Sequence, residues 1–371
     1  MFGTHIQSQL YKHVLKPIAF RLDPEDVHDY ATKIGYLLGK NPFTKSIAKH
    51  LWSYSHPALA QEILGIHFPN PVGLAAGFDK DAYLTEILPD VGFGFEEIGS
   101  VTGEACEGNP KPRLWRLPKS QSLIVHYGLK NEGTFAISKR LQSKTFRVPL
   151  GISIAKTNSP KTSETQNGIN DYLKAMRAFV NIGDYITINI SCPNAFGGEP
   201  FTSPERLDNL LTHIDQIETK QPIFLKMPAD LSTHELDQLV AVASRHRVQG
   251  LIVTNLTKRR DHKELDQDEV TSLSESKGGL SGKPVFETSN ASIKHLYQTV
   301  GDRFVIIGTG GIFSAEDAYT KIRSGATLVQ LITGMIFEGP QLIGEINRGL
   351  VEFMHRDGFK HINEIIGIDS K

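Results

Sequence analysis

The sequence predicts an α/β fold, a (β/α)8 or TIM barrel, preceded by a small N-terminal helical extension. Three observations carry that expectation. After about residue 60, eight short runs rich in apolar and β-branched residues alternate with stretches of helical periodicity, the pattern of parallel βαβ units. Several runs are unbroken, such as Leu251-Ile252-Val253 and Val305-Ile306-Ile307, as strands covered on both faces require. Glycines and polar residues gather at the C-terminal ends of these runs, where a barrel places its chemistry. A doubly wound open sheet is the competing architecture. However, no G-x-G-x-x-G opens a helix after a strand, and no G-x-x-x-x-G-K-[ST] loop is present.

Composition narrows the function classes. The 371 residues carry 40 Lys+Arg against 41 Asp+Glu, a net charge of -1, which argues against a nucleic-acid partner held by bulk positive charge. Only two cysteines occur, Cys106 and Cys192, too few for a disulfide scaffold or a Cys-rich structural zinc site. No metal is expected.

In chain order, the first 22 residues contain no acid, and Lys12, Lys16 and Arg21 are scattered among Phe2, Ile6, Leu10, Val14, Leu15 and Ile18 at helical spacing. This pattern fits both a helical cap docked on the barrel and a basic amphipathic surface lying in a membrane interface. A second helix follows the start signal Asp23-Pro24-Glu25, and a third short piece covers 43–54. Residues 1–45 are read as the extension and 46–371 as the barrel domain.

The strands are expected at 72–76, 93–99, 150–155, 185–190, 223–226, 250–254, 304–308 and 327–331. Helices are expected at 205–219, 233–244, 290–300, 314–324 and 340–357. The first strand runs into Ala75-Ala76-Gly77-Phe78-Asp79-Lys80, the second ends at Gly99-Ser100, and the fourth ends in Asn189-Ile190-Ser191-Cys192-Pro193-Asn194. The fifth ends at Lys226, the sixth at Thr254-Asn255, the seventh at Gly308-Thr309-Gly310-Gly311 and the eighth at Thr333-Gly334.

Loops after the last two strands of such a barrel often hold phosphate on backbone N–H groups, so a phosphate-bearing cofactor with a flat ring is implied. Lys226 ends an apolar strand and needs a partner or a function. It suits a Schiff-base lysine or a fixed cation beside the electron-rich end of a reduced flavin. Lys80 reads as an anion contact or as half of an exposed pair with Asp79. Cys192 sits between two asparagines at a strand end, and its thiol can act as a general base if its neighbours favour the thiolate. Cys106 lies between acids and is assigned no chemistry. Asn189, Asn194 and Asn255 offer donors and acceptors for a small planar ligand, or cap turns. The charged segment 258–277 is either a mobile lid or a solvated loop.

Taken together, these residues resemble the dihydroorotate dehydrogenase family, most closely its membrane-associated, quinone-reducing class. The likeness spans nearly the whole chain. It is carried by 70–80, by Glu97-Ile98-Gly99-Ser100-Val101-Thr102, by Gly108-Asn109-Pro110-Lys111-Pro112-Arg113, by 189–194, by 278–284 and by Leu328-Val329-Gln330-Leu331. The N-terminal Phe20-Arg21-Leu22-Asp23-Pro24-Glu25 matches an extension that only the quinone-linked class carries.

The resemblance implies an FMN-containing barrel that oxidises dihydroorotate to orotate in pyrimidine synthesis and passes electrons to a quinone. FMN contacts then fall on Ala75, Ala76, Gly77, Phe78, Asp79, Ser100, Ser153, Asn189, Lys226, Thr254, Gly282, Gly310, Gly311, Thr333 and Gly334. Orotate contacts fall on Lys80, Asn189, Asn194 and Asn255, the catalytic base on Cys192, and the quinone tunnel on His28 and Arg116. Cys192 would remove the C5 proton of the substrate while C6 gives hydride to the flavin, and Lys226 would steady the reduced flavin. With no long transit segment, the expected location is peripheral, on the cytoplasmic face of a bacterial cell membrane.

The chain departs from the family pattern in places. Cysteine at the base position is typical of the soluble class, and Ala195 and its neighbours also depart from the quinone class. Ser153 replaces an asparagine near the flavin and Ile332 a tyrosine of the tunnel. Val125 and Leu256 stand where an orotate-binding asparagine and a threonine are expected, removing up to two hydrogen bonds worth about 0.5–1.5 kcal/mol each. Asn131 is the candidate to compensate. These changes leave two alternatives: a related flavin barrel acting on another pyrimidine or enoate, and a non-catalytic flavin-binding membrane protein.

Overall fold

The computed structural model describes residues 7–371 except Pro193, Phe196 and Ser274; Phe2 and Ile6 of the expected first helix thus lie outside the described residues. Eight parallel strands close into a barrel. They are β1 (Val72–Leu74), β2 (Phe95–Val101), β3 (Leu150–Ile154), β4 (Tyr185–Asn189), β5 (Ile223–Lys226), β6 (Gly250–Val253), β7 (Val305–Thr309) and β8 (Leu328–Leu331). Each pairs in parallel with its sequence neighbour, and β8 returns to β1 with Val329 opposite Val72. All eight coincide with the expected runs. The major outer helices, among them Thr165–Phe179, Pro204–Asp215, Thr233–Ala243, Phe286–Val300, Ala315–Arg323 and Leu342–Arg356, bury their apolar stripes against the barrel.

The barrel is packed, not hollow. Phe95, Tyr185, Phe224, Ile252, Ile307 and Leu328 point inward near its N-terminal end and form one cluster with Ile63 and Phe68. Close approach fixes glycine on the neighbouring strands: a Cβ at Gly151 would lie 2.1 Å from the Tyr185 ring, and one at Gly250 2.1 Å from Phe224. A short antiparallel hairpin, Gln61–Ile63 with Ile66–Phe68, supplies Ile63 and Phe68 and plugs this end. Above the aromatic layer lies a polar one. Glu97 accepts hydrogen bonds from Thr187 (3.0 Å), Tyr185 (3.3 Å) and Gln330 (3.3 Å).

Two features were not read from the sequence: this hairpin, and a three-stranded antiparallel sheet at the opposite, C-terminal end. That sheet joins Leu114–Leu117, Ser122–Val125 and Gly279–Gly282. The segment 258–277 docks onto it. Leu265 is buried against Leu117, Ile124 and Leu280, and the Glu269 carboxylate accepts from the backbone N–H of Lys119 and Ser120 and from the Ser120 hydroxyl. The segment is thus anchored rather than a wholly solvated loop.

The N-terminal helix Pro24–Gly39 lies against the mouth side, on the strand Leu114–Leu117, and the helix Pro42–Trp52 packs on the outer helices Leu88–Val91 and Leu342–Arg356. The Asp23 side chain caps the first by accepting from the N–H of Glu25 and Asp26. Glu25, 2 % exposed, forms a two-pronged pair with Arg113 (2.9 and 2.7 Å) and a third contact to Lys130 at 3.1 Å. These cations hold its carboxyl down, at about 2, despite burial. Tyr11 donates to the Ile336 carbonyl (2.7 Å), and Phe20 meets Phe337 edge-on at 5.3 Å. Leu10, Leu15, Ile18, Ile34, Leu37 and Phe43 nevertheless remain exposed. Among the described residues, no helix is long and apolar enough to cross a membrane.

Candidate active site

A cavity of about 1310 Å³, its open mouth included, occupies the C-terminal end of the barrel. The loop after β1 contributes Ala75, Ala76, Gly77, Phe78 and Lys80, β2 gives Ser100, and β4 with its loop gives Asn189, Cys192 and Asn194. Lys226 enters from β5, Thr254 and Asn255 from the end of β6, Gly310 and Gly311 from beyond β7, and Thr333 and Gly334 from beyond β8. Gly282 of the mouth sheet and His28 of the first long helix complete the set. Residues more than 300 positions apart thus share one chamber because barrel closure brings all the strand ends to one rim.

Three of the residues singled out stand outside this lining. Asp79 is fully buried, and its carboxylate accepts from the N–H of Tyr83 (2.9 Å) and Leu84 (2.7 Å), holding the β1 loop. Ser153 is equally buried and lies 2.7 Å from the Ser100 hydroxyl, one layer behind the wall. Arg116 stacks on Phe20 (4.7 Å) and donates to the Leu22 carbonyl at 2.8 Å, so it ties down the N-terminal segment. Asn131 does not compensate for Val125. Its amide is consumed by Thr102, Leu129 and the N–H of Gly133, and it is buried away from the cavity.

The polar side chains are pre-positioned by one another. Asn189 donates to Ser100 (2.8 Å) and accepts from the Ser191 N–H (3.1 Å) and hydroxyl (2.9 Å). Asn255 donates to the Ser191 carbonyl and hydroxyl (2.6 and 2.9 Å), and Asn194 donates to the Val125 carbonyl (2.8 Å).

Three lysines, Lys80, Lys130 and Lys226, line the chamber, and of these Lys130 is paired with Glu25. Lys226 is buried, and burial lowers its pKa against the opposing pull of Glu97 below it and of Cys192. Lys80 lies 4.2 Å from the Tyr127 ring centre and 3.3 Å from the His28 Nε2, and burial brings it down to about 8. His28 itself is held neutral by burial and by Lys80, and its Nε2 lies 2.8 Å from the Phe78 carbonyl, to which it donates. A buried lysine without a contacting carboxylate is a ready partner for an anionic ligand.

Cys192 departs from the condition set for it as a base. Burial pushes its thiol up to about 11, the Glu199 carboxylate adds to this, and the Asn194 N–H and the Lys156 ammonium oppose it only in part. In the unliganded site the thiol is therefore protonated at neutral pH. Cys106 is buried, its backbone bridges to Asn131, and its Sγ meets the Gly128 carbonyl at 3.5 Å.

Sequence reasoning passed over Tyr127, Lys130 and Ser281 of the lining, and Lys156 behind Cys192. Tyr127, Lys130 and Lys156 sit on loops with no periodic signal, and Ser281 lies on a four-residue strand that only the mouth sheet, pairing segments over 150 residues apart, brings to the rim. At the far side of the cavity, Leu114, Leu123, Ile332 and Ile336 make an apolar arm that runs toward the N-terminal segment.

Comparison with known proteins agrees with this fold. The family model described as dihydroorotate dehydrogenase matches residues 58–354. A dihydroorotate dehydrogenase (quinone) of Nostoc punctiforme is 37% identical over 376 residues, covering 98% of this chain and 99% of that protein. Its counterpart in Myxococcus xanthus is 36% identical over 362 residues, covering 96% and 97%. Among solved structures, DHODH from Eimeria tenella in complex with ferulenol superposes with a TM-score of 0.83 at 28% identity, covering 94% of this chain and 96% of that one.

Proposed function

The chain belongs to the dihydroorotate dehydrogenase family, and we propose that it oxidises dihydroorotate to orotate with FMN as resident cofactor and a membrane quinone as final acceptor. The observation that carries this reading is the meeting of Cys192, Lys80, Lys226 and three asparagines in one chamber with a glycine-lined floor.

The chamber's residues fit FMN. A Cβ on Gly77 would stand in the cavity with Ile332 Cδ1, at 3.7 Å, as its nearest neighbour, so glycine there leaves space for a flat ring. Gly310, Gly311, Thr333 and Gly334 line the same chamber, and their backbone N–H groups would be the donors a phosphate requires. Asn189, Ser100, Thr254 and Gly282 would border the ring, with Asp79 and Ser153 bracing this wall from behind. Bound there, FMN would supply the acceptor for substrate hydride and the donor to quinone.

The chain's own residues do the rest. Lys80 would pair with the substrate carboxylate, while Asn189, Asn194 and Asn255 fix the ring's amide edges. Cys192 would take the proton from C5 as hydride leaves C6, so the substrate loses H⁺ and H⁻ and gains its ring double bond. Lys226 would hold negative charge that develops beside it, with Glu97 limiting the cost of burying that cation. Quinone would enter along the apolar arm beside His28, while Arg116 holds the segment that walls it. The exposed apolar side chains between Leu10 and Phe43, beside Lys12 and Lys16, suit a peripheral seat on the cytoplasmic face of a membrane.

The test is orotate formation from dihydroorotate by the purified chain with a soluble quinone as sole acceptor. Absence of orotate, together with turnover of another dihydropyrimidine, would transfer the reading to that substrate.

A further inference from the structure

Behind the loop that follows β7 lies a lysine that the proposed chemistry leaves without a task. Lys321, on the helix Ala315–Arg323, is fully buried. Its Nζ donates to the Ser289 hydroxyl (2.9 Å) and to Asn290 Oδ1 (2.7 Å), and it forms no ion pair among the described residues. The nearby Asp317 carboxylate is engaged by Lys283 (2.9 Å) and by the Phe313 N–H (2.8 Å).

Ser289 links this ammonium to the cavity wall. Its hydroxyl lies 2.8 Å from the Thr309 carbonyl and 3.2 Å from that of Val253, the ends of β7 and β6. A Cβ on Gly310 would lie 3.7 Å from that of Ser289, and one on Gly308 would lie 2.6 Å from Lys321 Cδ, so the lysine stem runs directly under the strand that ends in the glycine loop. A buried cation without a contacting carboxylate is costly unless an anion arrives nearby.

We propose that Lys321 is the buried counter-charge for the phosphate of the cofactor, acting through Ser289 and the Thr309-Gly310-Gly311 loop as a positioning residue rather than touching the phosphate. The inference rests on the flavin reading above. It explains why a cation is kept where a neutral side chain could fill the same space.

The test compares two ligands that differ only in the phosphate. Dissociation constants of FMN and riboflavin are measured on the full chain and on Lys321→Gln, which keeps a donor for Ser289 and removes the charge. The expected result is FMN binding weakened about 10-fold or more, the scale of one charge interaction across a poorly screened interior, with riboflavin changed less than about 2-fold. Equal weakening of both, or of neither, would overturn the proposal.

A second measurement needs no variant. Burial brings Lys321 down to about 7 against the pull of Asp317 and Glu287, so at pH 8 the unliganded side chain is mostly neutral. The free phosphate is already a dianion there, with a second pKa of about 6. Calorimetry in buffers of different ionisation enthalpy should then show FMN binding taking up close to one proton more than riboflavin binding. Contributions from Lys226 and Lys80, which face the ring end, are common to both ligands and cancel. Equal proton uptake would refute the role. If neither flavin binds the wild-type chain, the cofactor reading itself fails; if both bind and Lys321→Gln does not separate them, only this inference does.

Discussion

The pH dependence of substrate oxidation follows from the environment of Cys192. With the thiol pushed up to about 11 by burial, the thiolate fraction at pH 8 is about 10⁻³ and grows about tenfold per pH unit. If the thiolate takes the C5 proton, the limiting rate of flavin reduction should rise about 100-fold between pH 7 and pH 9. Lys80 titrates in the same range, at about 8, but with a different signature. It loses its charge as pH rises, so it raises the half-saturating dihydroorotate concentration without lowering the limiting rate. Anaerobic stopped-flow spectrophotometry over a series of substrate concentrations separates the two effects at each pH. Cys192→Ala should lower the limiting rate by about 10²–10⁴-fold and abolish its steep pH dependence. A wild-type limiting rate that is flat from pH 7 to 9, or a Cys192→Ala profile with the same slope as wild type, would refute the assignment.

Other consequences are equally accessible. Glu25→Ala leaves Arg113 buried without its carboxylate and should cost about 3–5 kcal/mol of stability, read by denaturant unfolding, with earlier proteolysis of the N-terminal helices. Because the Glu25 carboxyl is held at about 2, its contribution is complete above about pH 4.5 and is lost as pH falls through about 2. Gly77→Val should fold, by circular dichroism, yet purify without bound flavin, since the new side chain occupies the ring's space and the residue's φ of 114° disfavours it further. Replacing exposed Leu37 and Phe43 by serine should weaken liposome binding and reoxidation by a membrane-embedded quinone, while flavin reduction by dihydroorotate stays unchanged.

Much of this organisation was legible in the sequence, for a physical reason. Strands such as Leu251-Ile252-Val253 are covered on both faces, so their apolar runs are unbroken and easy to see. The residues that follow them must then share a rim, which is why Ala75 and Thr333 could be placed together from opposite ends of the chain. The basal hairpin and the mouth sheet were not legible, because three- and four-residue strands show no period and their partners are remote: Gly279 pairs with Val125. Depth was also invisible. Asp79 and Ser153 belong to the right loop and strand, yet the Asp79 carboxylate turns onto the N–H groups of Tyr83 and Leu84, and Ser153 is buried beneath the Ser100 hydroxyl. Nor could the sequence show that the pocket raises the thiol of Cys192 instead of lowering it, since that balance depends on burial and on Glu199 and Lys156 from two separate loops.

The most direct measurement is an anaerobic titration of the purified protein with dihydroorotate, followed in the visible spectrum. A yellow protein should lose its flavin absorbance with about one equivalent of dihydroorotate per flavin and regain it on addition of a quinone. A protein that is colourless, or whose colour is indifferent to dihydroorotate, would contradict the reading of this chamber.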